Sequence, residues 1–461
     1  MIGRLALRSL LAHPIRTAVL AAGFGLGVAV MAILLGVAEV VLDQARSPAL
    51  VGGGDVVIRL SPQVPAQLLL SGTLQSSPLR SRVRAAAPFH TSTLYLVRGE
   101  GVTRVAARGG IPSLERALGD SETSGVAGWR DGPADVAWTR NTPERVLRYI
   151  DRFHPIPDAP EWADSWAEWL YFNGRLSDVR FYLTFLVGPR RDDGRRAAGV
   201  RLQLERGGRP TETFDASAAL TDEEAMRAPD LAIGASSVRL EGTRYLVHLE
   251  LEGETGRRVV GDLAIEALPG RLVPPIEVTG ARRWLTGYVV PVTAGPLTGS
   301  LTIDGDRISL DGGTGYHDHN WGFWKGVSWQ WGQVQHEDLS FLYGRVFPPP
   351  EAADAERMPG FVGAFGPEGA LGFATDVQIE ETNDGNGRPS AIAVRATGPD
   401  LAINLTFQVG SAITTRTAQG PIADGVDFLQ LRGEYTVDGR VGDRQLAFTA
   451  PGAAETFRGV P

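Results

Sequence analysis

The 461-residue chain contains no cysteine, which excludes disulfides and thiolate metal centres and leaves the compartment open. Lysine is nearly absent as well. Lys325 stands alone and every other basic residue is arginine, which reflects GC-rich coding rather than chemistry. Net positive charge is missing: the formal charge is −8, with both signs interspersed. Without a basic stripe, nucleic acid is not an expected partner. Histidine is scarce, with seven in the chain, so a place where two fall together stands out. Beyond the first 42 residues there is no second long hydrophobic run.

Against these absences, apolar content is ordinary and the length suits roughly three domains. Gly 57 and Pro 30 suit many turns between short strands. The 22 residues from Thr17 to Ala38 carry no charge, and about 20 apolar residues cross a bilayer core. Arg4, Arg8 and Arg16 precede this run, whereas Glu39, Asp43 and Arg46 follow it. That bias places the N-terminus in the cytoplasm and the rest of the chain outside it, in the periplasm. The alternative is a signal peptide cleaved after Ala38, although the run exceeds the usual apolar length of about 7–15 residues. Gly23 and Gly27 form a GxxxG pair suited to packing against another membrane helix.

The opening from Arg4 to Glu39, with His13-Pro14, Arg16-Thr17 and the later "GGGDVVIRL", resembles permease subunits of ABC transporters of the FtsX/lipoprotein-export type. The resemblance implies an ABC transporter permease or ATPase subunit as partner. The later spans of such a permease are missing, so this chain forms no transport pathway of its own.

Further along, "GDVVIRL" (54–60) and "STLYLVRG" (92–99) read as strands and "IPSLERALGD" as a short helix. Thr142 as N-cap and Pro143 at the first helical position start another helix. Beyond about residue 175, strict alternation takes over, in "VRFYLTFLV", "RYLVHLELEG" and "LAINLTFQV". Period-2 alternation without βαβ spacing predicts antiparallel sandwiches or barrels. Asp304-Gly305 and Asp438-Gly439 are predicted hairpin turns. A faint repeat lays Trp169, Tyr171, Asp178 and Phe181 over Trp329, Trp331, Asp338 and Phe341 at an offset of 160, as two tandem barrels would.

The densest chemistry lies in "GTGYHDHNWG" (313–322). On a strand, His317, His319 and Trp321 share one face, and Tyr316, Asp318 and Asn320 the other. Phe323, Trp324, Trp329 and Trp331 follow closely, an aromatic wall suited to an apolar ligand. Three readings stand. His317-x-His319 could supply two imidazoles to a metal, with His336 or Glu337 third, but no fourth ligand has metal spacing. The histidines, acid and amide could satisfy one another in a bulged strand. Or the cluster faces an apolar pocket for binding or proton transfer, without a metal.

This motif, with Glu168-Trp169-x-Tyr171 upstream and the Trp-rich strand downstream, resembles the carotenoid 1,2-hydratase (hydroxyneurosporene synthase) and AttH-like family over residues 135–461. The resemblance implies two consecutive lipocalin-like β-barrels and, in the hydratases, cofactor-free addition of water to an isoprenoid double bond. Other members are extracytoplasmic partners of ABC transporters. On this template Asp318 is the acid, His317 or His319 its partner or base, and Trp321 and Tyr343 the walls that stabilise the cation. Tyr316, Asn320, Trp324, Trp329, Trp331, Glu168, Trp169 and Tyr171 complete the ligand site. Two positions depart from the pattern: Arg345 stands where a carboxylate is expected, and Leu170 where an aromatic is usual.

The expectation is therefore a mainly β protein, divided into a membrane segment (1–45), a small extracytoplasmic segment (46–130), and lipocalin-like barrels at 131–284 and 285–461. Its expected role is to bind or handle an apolar lipid or isoprenoid beside an ABC export system. The alternative is a hydratase or cyclase acting by acid catalysis.

Overall fold

A computed structural model of the chain describes residues 12, 14–45, 56–58, 66, 70, 83–98, 101–119, 128–139, 142–253, 256–268, 270–367, 369–417 and 426–459. Two compact units result, the second of which holds Ala137–Pro461. The first carries helix α1 (Pro14–Ala45), whose window Pro14–Met31 has mean hydropathy 1.6 and buries nothing. Its length and composition suit either a membrane span or a signal sequence. Arg4, Arg8 and Arg46, which carry the orientation argument, lie outside the described residues. The same unit holds the hairpin of β1 (Phe89–Arg98) and β2 (Gly101–Gly110). Arg108 on β2 grips Glu115 of α2 (Pro112–Leu118) through Nη2, at 2.8 and 2.7 Å from the two carboxylate oxygens. Residues 56–58 of the expected strand at 54–60 are not in a strand.

Helices α3 (Pro133–Thr139) and α4 (Pro143–Ile150) lead into the second unit. The Thr142 hydroxyl caps α4 by accepting from the Arg145 amide. The first sheet then runs β3 (Trp166–Leu176), β4 (Val179–Arg190), β5 (Arg196–Arg206), β6 (Glu212–Leu220), the short α5 (Asp222–Ala225), β7 (Leu231–Ile233), β8 (Ser236–Glu241), β9 (Arg244–Gly253), β10 (Arg258–Glu266), β11 (Val273–Thr279), β12 (Leu285–Ile303), β13 (Asp306–Ser309) and β14 (Gly313–Phe323). Strands β3, β4, β5, β6, β9, β10, β12 and β14 pair in a ring that closes where β14 meets β3. Alternation drives the closure. In β9, Tyr245, Val247, Leu249 and Leu251 are buried, while Arg244 is exposed. Phe172, Phe185, Val200, Leu202 and Leu249 are likewise fully enclosed, so side chains fill this barrel as they do in other small barrels.

The second sheet contains β15 (Ser328–His336), β16 (Leu339–Phe347), β17 (Phe361–Gly366), β18 (Gly369–Ala374), β19 (Asp376–Asn383), β20 (Pro389–Gly398), β21 (Leu401–Thr417), β22 (Val426–Val441) and β23 (Arg444–Gly459). Its order is β18-β17-β16-β15-β23-β22-β21-β20-β19, a nearly closed barrel. The two sheets are pinned together by Arg432 to Glu205, by Gln335 Nε2 to the Thr293 carbonyl at 3.1 Å, and by Arg271 Nη2 to Ser340 Oγ at 2.8 Å.

Two expectations are corrected. The boundary at 284/285 is displaced to the segment between Phe323 and Ser328, because the first barrel cannot close without β12 and β14. Asp438-Gly439 lies inside β22, where a side chain at Gly439 would sit 2.2 Å from the Ala402 carbonyl oxygen. The turn falls four residues later, at Gly442-Asp443. Asp304-Gly305 does turn, with both φ angles positive at 50° and 93°. The repeat also has a physical counterpart. Ser177 and Glu337, offset by 160, occupy the same left-handed position (φ 52° and 51°) in the β3–β4 and β15–β16 turns.

Candidate functional site

Strand β14 separates two polar clusters by its pleat. Its register against β3 pairs Trp321 with Glu168, His319 with Leu170 and His317 with Phe172 on the barrel interior. On the outer face it pairs Asp318 with Tyr171, Asn320 with Trp169 and Tyr316 with Asn173. The inner face is buried, and on the outer face, which lies against the second sheet, Tyr316 and Asp318 are buried while Thr314 and Asn320 are partly exposed.

The inner cluster is a continuous hydrogen-bonded chain. His317 Nδ1 lies 2.9 Å from the Tyr171 carbonyl oxygen, and its Nε2 lies 2.9 Å from Asp151 Oδ2. His319 Nδ1 lies 3.1 Å from Asp151 Oδ1, and its Nε2 3.0 Å from Glu168 Oε1. His154 Nδ1 reaches the same Glu168 oxygen at 2.7 Å. Both nitrogens of His319 face carboxylates, so both donate. Burial opposes its charge, but hydrogen bonds to Asp151 and Glu168 prevail and raise its pKa to about 9. Burial alone would raise Asp151 and Glu168. For Asp151, His317 and His319 reverse this and lower it to about 2, and for Glu168 His154 and His319 hold the carboxyl below its usual range. His317 stacks on Phe172 at 4.1 Å, and His154 on Trp321 at 4.4 Å. Gly287 makes room for Trp321, since a Cβ there would lie 2.3 Å from the indole.

The outer cluster occupies the seam between the sheets. Asp318 accepts from Asn320 Nδ2 at 2.6 Å. Loss of hydration, followed by the charge of Glu455 on β23, raises its carboxyl well above the ordinary value, with Tyr316 and Asn320 pulling the other way. Glu455 is raised to about 7 by desolvation, against a hydrogen bond from the Tyr171 hydroxyl. Burial first, then Glu455, raises Tyr171, and burial first, then Asp318, raises Tyr316. Their rings meet at 6.4 Å, and Gln430 Nε2 of β22 lies 3.4 Å from the Tyr171 hydroxyl.

Aromatic rings extend the seam. Trp169 packs on Trp324 at 4.7 Å and on Trp329 at 6.0 Å, and Trp331 packs on Tyr288 at 5.4 Å and on Phe361 at 5.6 Å. Gln430 Oε1, Gln333 Oε1 and Trp331 Nε1 are buried with no hydrogen-bond partner among the described residues. A groove beside them is lined by Asn173, Arg175, Tyr182, Gly315, Gln333 and Ala453. Its Tyr182 interacts electrostatically with both Tyr171 and Glu455.

The sequence-expected residues thus divide. Asp318, Tyr316, Asn320, Trp169, Tyr171, Trp324, Trp329 and Trp331 gather in the seam, whereas His317, His319, Trp321 and Glu168 face into the first barrel. Asp318 therefore cannot have either histidine as its immediate partner, because neighbouring strand residues point to opposite faces. Where an apolar cavity was expected, the described rings of Phe172, Tyr245 and Trp321 pack against the buried histidines. Tyr343 belongs to the core of the second barrel, its hydroxyl 3.2 Å from that of Tyr435. Arg345 lies on that strand with its guanidinium over Phe347 at 4.8 Å and Nη2 3.3 Å from the Ala355 carbonyl. His336 stacks on Phe448 at 4.2 Å, remote from the role of third ligand.

Asp151, His154, Glu455, Gln430 and Tyr182 were not anticipated. Asp151 and His154 follow α4, and Glu455 sits in "PGAAETF", with no spacing that ties either to the motif. Alternation in β23 was the available signal for Glu455.

No family model and no curated protein matches the chain by sequence. Among solved structures, an AttH-type protein of Nitrosomonas europaea is similar at 15% identity and TM-score 0.43, covering 66% of this chain and 99% of its own. Kievitone hydratase of Nectria haematococca is similar at 11% identity and TM-score 0.45, covering 68% and 96%. CghA, solved with Sch210972, is similar at 13% identity and TM-score 0.41, covering 69% and 94%. At these identities and scores the likeness assigns no activity, and none of the three bears on the permease resemblance of the N-terminal segment.

Proposed function

We propose that the chain is a cofactor-independent hydro-lyase that adds water to a double bond of an apolar, isoprenoid-type molecule held in the seam between its barrels. The observation that carries this reading is a pair of carboxyls in an aromatic-lined seam, one from each sheet: Asp318 is buried, and the partly exposed Glu455 lies within electrostatic reach of it. Desolvation raises both. Two carboxyls that cannot easily ionise together divide into an acid and a base at neutral pH.

In this reaction Asp318 donates its proton to the less substituted alkene carbon. The tertiary cation formed at the other carbon rests against indole and phenol faces. Water bonds to the cation and gives its proton to the Glu455 carboxylate. Return of that proton to Asp318, past the Tyr171 and Tyr316 hydroxyls, resets the pair. The partnerless polar atoms of Gln430, Gln333 and Trp331 suit a molecule with a hydroxyl or carbonyl on its apolar frame. Helix α1 would keep the enzyme at the cytoplasmic membrane, where such substrates dissolve, with its N-terminus inside and the barrels outside. Partnership with an ABC exporter rests on the N-terminal motif alone.

The test is turnover of prenylated alkenes in water enriched in oxygen-18. The wild-type chain should form an alcohol carrying one labelled oxygen. Asp318→Asn should reduce kcat by about 10²–10⁴-fold with substrate binding near normal, since shape is retained and the proton is lost. Substrate that binds without hydration, or full activity in the variant, would refute the assignment and favour a binding role.

A further inference from the structure

The inner cluster takes no part in that reaction and has a geometry of its own. His154, Glu168 and His319 each present one ligand atom, and the three atoms lie within 4.8 Å of one another. Both imidazole nitrogens converge on one oxygen, Glu168 Oε1, at 2.7 and 3.0 Å. The three residues come from three segments: the connector after α4, β3 and β14. Glu168 and His319 are completely buried, and His154 is partly exposed.

We propose that His154 Nδ1, Glu168 and His319 Nε2 form a binding site for one divalent transition-metal ion of the zinc type. The donor set of two imidazoles and a carboxylate matches zinc and its first-row neighbours, whereas calcium and magnesium favour oxygen ligands. The surroundings also have the character of a metal site. Asp151 Oδ1 holds the far nitrogen of His319 at 3.1 Å, the carboxylate–histidine arrangement that orients a metal-bound imidazole. The backbone amide of His154 donates to both Glu168 oxygens, at 2.9 and 3.0 Å, so the carboxylate is fixed before any ion arrives. Stacking on Trp321 holds the His154 ring. Glu277 is half-buried and within electrostatic reach of His154, and a water would complete a tetrahedron.

Without an ion the same three groups hold one another by hydrogen bonds, so the site is pre-formed. The ion displaces the proton between His319 and Glu168 to solvent, the His154 imidazole carries its own proton on Nε2 in place of Nδ1, and the ion ties the connector to two barrel strands. His317 takes no part, since both its nitrogens are engaged elsewhere. The site and the seam lie on opposite faces of β14, so either assignment can fail without the other.

The experiment uses the full chain, stripped with a chelator and titrated with Zn²⁺ and Co²⁺. One equivalent should bind, with visible Co²⁺ bands of a nitrogen–oxygen tetrahedral site and a raised Tm. His154→Ala, on the connector and outside the barrel wall, should abolish the Co²⁺ bands while the protein stays folded. Asp151→Asn should weaken binding by about 10–100-fold, and His248→Ala, at an exposed histidine, should leave it unchanged. Absence of stoichiometric binding, or Co²⁺ bands that survive both His154→Ala and His319→Ala, would overturn the proposal.

Discussion

Asp318 and His319 are neighbours in sequence with opposite electrostatic fates. His319 lies between two carboxylates and is driven toward its charged form, whereas Asp318 faces a second carboxyl and is driven toward its neutral one. The pleat of one strand makes the difference. Its consequence for the proposed reaction is a pH profile. Glu455 accepts a proton only when ionised, and its pKa stands at about 7. Activity should therefore rise as the pH passes upward through about 7, then fall at higher pH where Asp318 loses its proton. Glu455→Gln should remove the rising limb and slow the reaction. A rising limb that persists in that variant, or one centred near the ordinary glutamate value, would exclude Glu455 as the base. The two trios of the motif were legible from alternation alone. Their partners were not, because all lie more than a hundred residues away in the chain, Asp151 and His154 on the connector after α4 and Glu455 on a strand of the second sheet.

The strands themselves were largely legible, since each buries one face and leaves the alternation visible, as in β9 and β21. What alternation does not encode is which strand pairs with which. The segment from Leu285 to Phe323 reads as the start of a second barrel, yet β14 pairs with β3 and completes the first. The offset of 160 pointed to the better division, because it matched β3–β4 with β15–β16, the opening hairpin of each barrel. This yields a prediction about fragments. Residues 137–327 contain every strand of the closed ring and should unfold cooperatively by circular dichroism and urea titration. Residues 137–284 lack β12 and β14, leave β3 and β10 as open edges, and should be aggregated or unfolded. Cooperative unfolding of the shorter fragment would restore the boundary at residue 284.

For the molecule as a whole, the packed interior of the first barrel moves attention from a lipocalin cup to the seam between two sheets. Trp169, Trp324, Trp329 and Phe428 close one part of it with rings, and Asp318 and Glu455 bring one carboxyl from each side. The proposed reaction depends on a single chemical state, a neutral Asp318 at neutral pH. Infrared difference spectroscopy of the wild-type chain against Asp318→Asn at pH 7 measures it directly. The predicted result is the carbonyl stretch of a protonated carboxyl, shifted in heavy water and missing from the variant. A difference spectrum containing only carboxylate bands would show an ionised Asp318 and rule it out as the acid.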